Sequence, residues 1–419
     1  MKKALKVIFS MLVVAFLFAG CATPTAAPTQ AAATTEATAA ATAVDAQAVC
    51  AADKFGCAVF KPGEVVKIGM GAPMTGGYSS FGIDISQGAT IAIEDAGDVF
   101  GWKFALDAQD DGGGAEGGAA VANKFANDPA IVAVAGHIFS GASAAAIPIY
   151  EKVGIPMLSP SATTPSLTTL GSQVFNRIAF TDGLQGKYAA EFLFNNLGVT
   201  KLAVMHDGSD YGKGLAEIVS AEFENLGGTV VAEEAVTPGE TDYTAVLSTV
   251  AASAPEAIYF GGYIAEASVL VNELKQTGLE GVKFFGCDGT YGDKFLENTG
   301  ANGEGAFATV APASPDSDAK SAFNAKYEEE FGAAPGTLSP FTWAGYDSAA
   351  ALVAKIKEVA FVGADGNLYI PRGALVAAVR GITDYVGLSG TFTCNEVGEC
   401  NTARPSFVVV KDGAFVPAE

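Results

Sequence analysis

The chain has 419 residues, 49 % of them hydrophobic, and a formal net charge of −22. That length is enough for two domains of ~100–200 residues each, and a surface this acidic repels a polyanion, so nucleic acid is excluded as a partner. Only two histidines occur, and no His/Cys group has metal-ligand spacing, so neither a metal nor any other cofactor is implied.

The first residues are basic, with Lys2, Lys3 and Lys6, and an apolar run follows from Val7 to Gly20. A membrane-spanning helix takes about 20 residues, so this shorter run reads as a signal peptide, residues 1–20. The string Leu17-Phe18-Ala19-Gly20-Cys21 looks like a lipobox, in which the small pair marks the cut and the Cys21 thiol takes a lipid. Phe18 stands where such boxes usually carry leucine. The alternative is an ordinary secretory cut nearby. From Ala22 to about Val49 the chain is almost all Ala, Thr and Pro. Such a segment buries too little to offset its conformational entropy. Residues 21–57 are accordingly assigned to a lipidated cysteine and a disordered tether, with the folded part starting near Cys50. Cys50 with Cys57, and Cys394 with Cys400, could each close a small loop in an oxidising compartment. Cys287 is left over and reads as a small buried hydrophobe.

Beyond the tether, apolar β-rich runs alternate with helix-length segments. The strands are expected at Val65–Met70, Ile131–Ala135, Leu202–His206, Thr229–Ala232, Ala257–Phe260 and Val282–Phe285. The helices are expected at Ile85–Ala96, Gly118–Asn127, Ala142–Glu151, Leu184–Asn196, Gly212–Leu226 and Glu266–Thr277. This alternation predicts an α/β fold with mostly parallel sheets. Ligands of such sheets bind beyond the carboxyl ends of the strands. The loops there are rich in Gly, Ser, Thr and Asp: 73–82, 136–143, 159–164, 206–214 and 286–292.

Three motif-like strings are discounted. His137 and Ser140 could be imagined as base and nucleophile, but no Gly-x-Ser-x-Gly elbow accompanies them. His137 and His206 read instead as strand-end residues making structural hydrogen bonds. Gly112-Gly113-Gly114-Ala115-Glu116-Gly117 matches a dinucleotide fingerprint, yet Asp110, Asp111 and Glu116 would face the pyrophosphate. The segment from Gly208 to Gly214 has the wrong spacing for a P-loop.

Several strings together carry a family resemblance: Ile68-Gly-Met-Gly-Ala-Pro-Met-Thr-Gly76, Phe81-Gly82, Ala122-Asn123-Lys124, Tyr150-Glu-Lys-Val-Gly-Ile-Pro156, Ser159-Pro-Ser-Ala-Thr163, His206-Asp207, Tyr211-Gly-Lys-Gly-Leu-Ala216 and Gly261-Gly-Tyr263. In their order and spacing, over roughly Val65 to Val410, the chain resembles the branched-chain amino-acid binding proteins of ABC transporters. The resemblance implies a type I periplasmic-binding fold: two Rossmann-like α/β lobes joined by three chain crossings. Lobe one would be 58–181 plus 312–388, and lobe two 182–311 plus 389–419.

It also implies a site. Ser140 and Thr163 match hydroxyl donors to the ligand carboxylate, and Ser140 also opens a helix, where anions are favoured. Ser161 matches a backbone carbonyl facing the ammonium. Asp288 falls at or within one residue of the family's ammonium-binding acid, which is often glutamate. Tyr211 and Tyr263 match aromatic positions, and Phe81 and Phe139 would line the side-chain pocket. Trp343 lies near a further family aromatic. A disulfide found in some relatives has no counterpart, because its positions fall near Gly114 and Phe139. The function implied is capture of a branched-chain or related neutral amino acid outside the cytoplasm and its delivery to an ABC permease. The protein would be a monomer, attached to the membrane only through the lipid. Rival readings are an amide, urea-like or aromatic-acid ligand, a sensor module for a signalling partner, and an enzyme.

Overall fold

The structure is a computed structural model and describes residues 45–313 and 315–418. The expected signal peptide 1–20, the Cys21 anchor and the tether up to residue 44 lie outside the described residues.

Two sheets carry the fold. The first has six strands in the order Asp98–Val99, Trp102–Asp110, Val66–Ala72, Ile131–Val134, Met157–Ser159, Phe175–Arg177. All its neighbours run parallel except the edge hairpin 98–102. The second has seven: Ala414–Pro417, Ser406–Lys411, Phe307–Val310, Lys283–Gly286, Ala257–Gly261, Lys201–His206, Thr229–Ala235. Its last two strands in sequence are antiparallel, and the rest are parallel. The central strands Ile131–Val134 and Ala257–Gly261 are buried at every residue. That is the state of a strand covered by helices on both faces.

Between the second sheet's strand Phe307–Val310 and its return at Ser406, the chain forms three helices, Asp318–Phe331, Thr342–Val359 and Arg372–Arg380. The second of these packs on helix Ser79–Asp95 at very short range. A methyl group at Gly88 would sit 2.3 Å from the Thr342 carbonyl oxygen, and one at Gly345 2.4 Å from that of Ile85. Only glycine allows this approach.

The tether assigned to 21–57 proves too long. Residues 46–52 form a helix, with the Asp45 carboxylate accepting from the Gln47 and Ala48 N–H groups. Asp53 then accepts from the N–H groups of Gly373 and Ala374 at 2.8 and 3.0 Å. A disulfide joins Cys50 to Cys57, which begins a strand paired antiparallel with Leu368–Pro371. Caps and a covalent staple order a segment whose apolar content alone would not. Cys394 and Cys400 form the second disulfide, and Cys287 is free and buried. Among the described residues, no helix is long and apolar enough to cross a membrane.

Candidate functional site

Strand ends from both sheets converge on one small cavity. Its lining is Phe81, Ile138, Phe139, Ser140, Ser161, Tyr211, Tyr263, Asp288, Gly289 and Phe341. Phe139 and Ser140 follow strand Ile131–Val134, and Ser161 follows Met157–Ser159. From the second sheet, Tyr211 follows Lys201–His206, Tyr263 follows Ala257–Gly261, and Asp288 follows Lys283–Gly286. Seven of the eight residues expected at the site thus share one wall, and each reaches it from a loop or a helix start.

Aromatic rings fill most of the space. Phe139 and Tyr263 stack at 4.3 Å with planes 4° apart. Phe81 meets both edge-on at 5.9 and 6.1 Å, and Tyr211 lies 5.3 Å from Tyr263. Tyr78, which the sequence reading missed, caps the stack at 4.9 Å from Tyr263 and 5.8 Å from Phe139. The cavity left over is about 20 Å³, room for about one water. An amino-acid side chain enters only if the rings part. The Phe139 ring also lies over Gly113, where a methyl group would come within 2.6 Å of it.

At one end of the cavity sits an acid. Asp288 is buried, and its Oδ1 accepts from the Tyr211 hydroxyl. Tyr211 in turn accepts from the Gly289 N–H at 3.3 Å. Burial raises the Asp288 pKa to about 6, the Tyr211 and Gln185 hydrogen bonds opposing. Behind it lies a second wholly buried acid, Asp182, raised first by burial and then by the Asp288 charge. Gln185 bridges the two: its amide donates to Asp182 at 3.0 Å and accepts from the Asp288 N–H at 3.2 Å. Thr309 also donates to Gln185. Neither Asp182 nor Gln185 carries a periodicity signal, since both sit on the buried face of helix Asp182–Glu191. The anionic pocket is therefore deeper than the sequence suggests.

The same cavity is lined by donors. Ser140 is the first residue of helix Ser140–Val153, whose first-turn N–H groups have no partners within the helix. Its Oγ accepts from the Thr164 N–H at 3.3 Å. The Ser161 hydroxyl donates to the Ile138 carbonyl at 2.7 Å, which fixes the loop beside the cavity. Thr163 is the exception among the expected residues. It is 1 % exposed and does not line the cavity. Its Oγ1 makes no well-formed hydrogen bond, although Asp182 lies beside it. Trp343 does not line the cavity either. Phe341, two residues earlier, does, while Trp343 lines a neighbouring space of about 350 Å³.

The two histidines make structural hydrogen bonds. Both ring nitrogens of His137 are engaged, Nδ1 by Asp111 at 2.7 Å and Nε2 by the Tyr150 hydroxyl at 3.0 Å, all buried. His206 Nδ1 accepts from the Gly208 N–H at 3.0 Å. What the arrangement offers is hydroxyl and helix-start donors, a carboxylate and aromatic walls around one cavity. Those are the parts needed to hold a zwitterion with an apolar side chain.

The chain is similar to several known binding proteins. An amino acid binding protein of Pseudomonas aeruginosa is 35 % identical over 238 residues, 56 % of this chain and 63 % of the relative, so that match spans less than two thirds of its length. A Leu/Ile/Val-binding protein homolog of Brucella melitensis is 30 % identical over 360 residues, covering 84 % of this chain and 94 % of the relative. Among solved structures, the branched-chain amino acid transporter substrate binding protein of Streptococcus pneumoniae in complex with isoleucine superposes with a TM-score of 0.74. It is 25 % identical and covers 84 % of this chain and 98 % of that one. The family described as periplasmic binding protein matches residues 65–413. The α/β fold is that of the type I members, and the chain belongs to the periplasmic binding protein family.

Proposed function

We propose that the protein binds a branched-chain or related neutral amino acid outside the cytoplasm and delivers it to an ABC permease, without bond chemistry. The observation that carries this is that Ser140 at a helix start and Asp288 line the same aromatic-walled cavity. The ligand carboxylate lies on Ser140 and the N–H groups around it, and Thr163, whose hydroxyl is unpartnered, supplies a second donor once the loop that holds it shifts toward the cavity. The ammonium lies on Asp288 and the Ser161 carbonyl. Tyr211, Tyr263, Phe81 and Phe139 hold the side chain. The lobes are 58–181 plus 312–388 and 182–311 plus 389–419, and ligand bridging them favours the closed state through its differential contacts. Cys21 carries the lipid that keeps a monomeric receptor at the membrane.

Titration calorimetry of the full chain against the standard amino acids tests the reading. Leucine, isoleucine or valine should bind at micromolar strength or better, about −8 kcal/mol. If no α-amino acid binds while a short amide or an aromatic acid does, that ligand class replaces this one. Cys21→Ser should release the protein from membranes, and a wild-type chain without lipid by mass spectrometry removes the anchor from the scheme.

A further inference from the structure

The turn closed by Cys394 and Cys400 does not touch the cavity, yet it is wired to it. Arg177 ends strand Phe175–Arg177, and its side chain is 0 % exposed. Its Nη1 donates to the carbonyls of Ala162 and Thr164, at 3.2 and 2.8 Å. These two carbonyls flank Thr163, and the Thr164 N–H is the group that donates to Ser140 Oγ. The other guanidinium nitrogen donates to Thr168 Oγ1 at 3.0 Å and to Glu399 Oε1 at 2.6 Å, and Thr168 itself donates to Glu399 at 2.6 Å. Asp182, on the far side, also feels the Arg177 charge.

Glu399 belongs to the disulfide-closed turn. The turn grips the backbone on both sides of the same residue: the Arg177 N–H donates to the Gly398 carbonyl and the Cys400 N–H to the Arg177 carbonyl, each at 2.9 Å. Arg380 fixes the turn a second time, donating to the Glu396 carbonyl at 2.6 Å and to those of Ser172 and Phe175 at 2.9 and 2.8 Å. A buried guanidinium requires a paired anion, and here the anion is delivered by a loop whose ends are covalently joined.

We propose that the Cys394–Cys400 turn is a positioning device for the loop 161–164, acting through Glu399 and Arg177. Opening the disulfide therefore lowers ligand affinity without removing any ligand contact. The affinity part of this inference rests on the amino-acid reading above; the positioning part does not.

The test uses three full-chain variants: Cys394→Ser with Cys400→Ser, Glu399→Gln, and, as a control, Cys50→Ser with Cys57→Ser. Leucine, isoleucine and valine are titrated by calorimetry, and deuterium uptake is followed by mass spectrometry over residues 159–169. Residues that act on a site without touching its ligand shift affinity by roughly 3- to 30-fold. That loss is expected for the first two variants, with faster exchange at 159–169. The control should lower the melting temperature and change neither readout. A staple that serves stability alone would leave affinity within twofold and exchange unchanged in all three variants, and that result overturns the proposal. If the first variant fails to fold, Glu399→Gln, which keeps the disulfide, decides. If wild type binds no amino acid, the ligand reading fails, and the exchange data alone decide the positioning role.

Discussion

Two buried carboxylates in this molecule look alike by acidity and differ in everything else. Asp84 and Asp288 are both almost wholly buried, and burial raises each to a pKa of about 6. Asp84, on helix Ser79–Asp95, accepts from three hydroxyls: Tyr327 at 2.7 Å, Ser339 at 2.6 Å and Thr342 at 2.7 Å. It pins helices 318–331 and 342–359 to the first sheet's layer and faces no cavity. Asp288 has one side-chain donor, Tyr211, and lines the cavity between the two sheets. A raised pKa reports burial. Spare acceptor capacity beside a cavity is what marks a binding group.

That comparison can be broken at either end. Asp84→Ala strands the three hydroxyls, at ~1–3 kcal/mol each. It should destabilise the protein by about 3 kcal/mol or more at pH 5 in urea titrations, with ligand affinity unchanged in the folded fraction. If stability holds and affinity falls, the roles assigned to the two acids are reversed.

Next in size is Asp288→Ala. A lost hydrogen bond to a charged ligand group costs ~1.5–3 kcal/mol, so amino-acid affinity should fall roughly 10- to 150-fold, or further because the ammonium is left buried. The melting temperature should fall less than in Asp84→Ala, because one hydroxyl, that of Tyr211, is stranded rather than three. Unchanged calorimetric affinity would remove Asp288 from the site.

The pH dependence sharpens the contrast further. Both acids have folded pKa values above the unfolded value of 3.8. Each therefore contributes stability that is fully present below about pH 4 and is lost as pH rises through about 6. Unfolding free energy should decline over that window, and Asp84→Asn should flatten part of the decline. Ligand binding has the opposite sign, because the ammonium needs Asp288 ionised. Affinity should be about tenfold weaker at pH 5 than at pH 8. Affinity flat over that range would place the ammonium elsewhere.

The smallest effect is expected from Phe139→Ala. It enlarges the apolar wall and spares the polar ends, so the ranking among valine, leucine, isoleucine and phenylalanine should change by a few-fold while overall binding persists. An equal loss for all four would mean that Phe139 supports the fold of the site rather than its selectivity.

Much of the fold was legible because buried parallel strands are continuous apolar runs. Ile131–Val134 and Lys201–His206 fall within a residue of expectation at each end. Several helix starts were placed two or three residues late, for one physical reason. Helices open at Ala115, Ser140, Asp182 and Asp210, inside Gly, Ser and Asp strings that read as loop. Caps such as Thr181 and Ser209 accept first-turn N–H groups and leave no apolar periodicity. The helices after Ser317 were not anticipated; the first half of 342–359 buries mainly alanine, glycine and hydroxyl residues, whereas 372–380 carries an apolar stripe of Leu375, Val376 and Val379 that the sequence reading missed. At the site, the family resemblance pointed to residues following strands that now line the cavity, whereas Tyr78, Gln185, Asp182 and Phe341 had no such pointer. Their roles depend on which faces meet across the two sheets, and no local pattern encodes that.

The stack of Phe139 on Tyr263 has a last consequence. In the proposed site the Phe139 and Tyr263 rings compete with a guest side chain, because they fill the space between the sheets themselves. Such a ring pair is worth ~0.5–1.5 kcal/mol beyond its buried area. Glycine brings nothing to displace it, and the methyl of alanine brings about 0.8 kcal/mol. A leucine-sized side chain brings ~1.5–3 kcal/mol and clears the threshold. On the proposed reading, the self-stacked pocket therefore favours larger guest side chains over smaller ones.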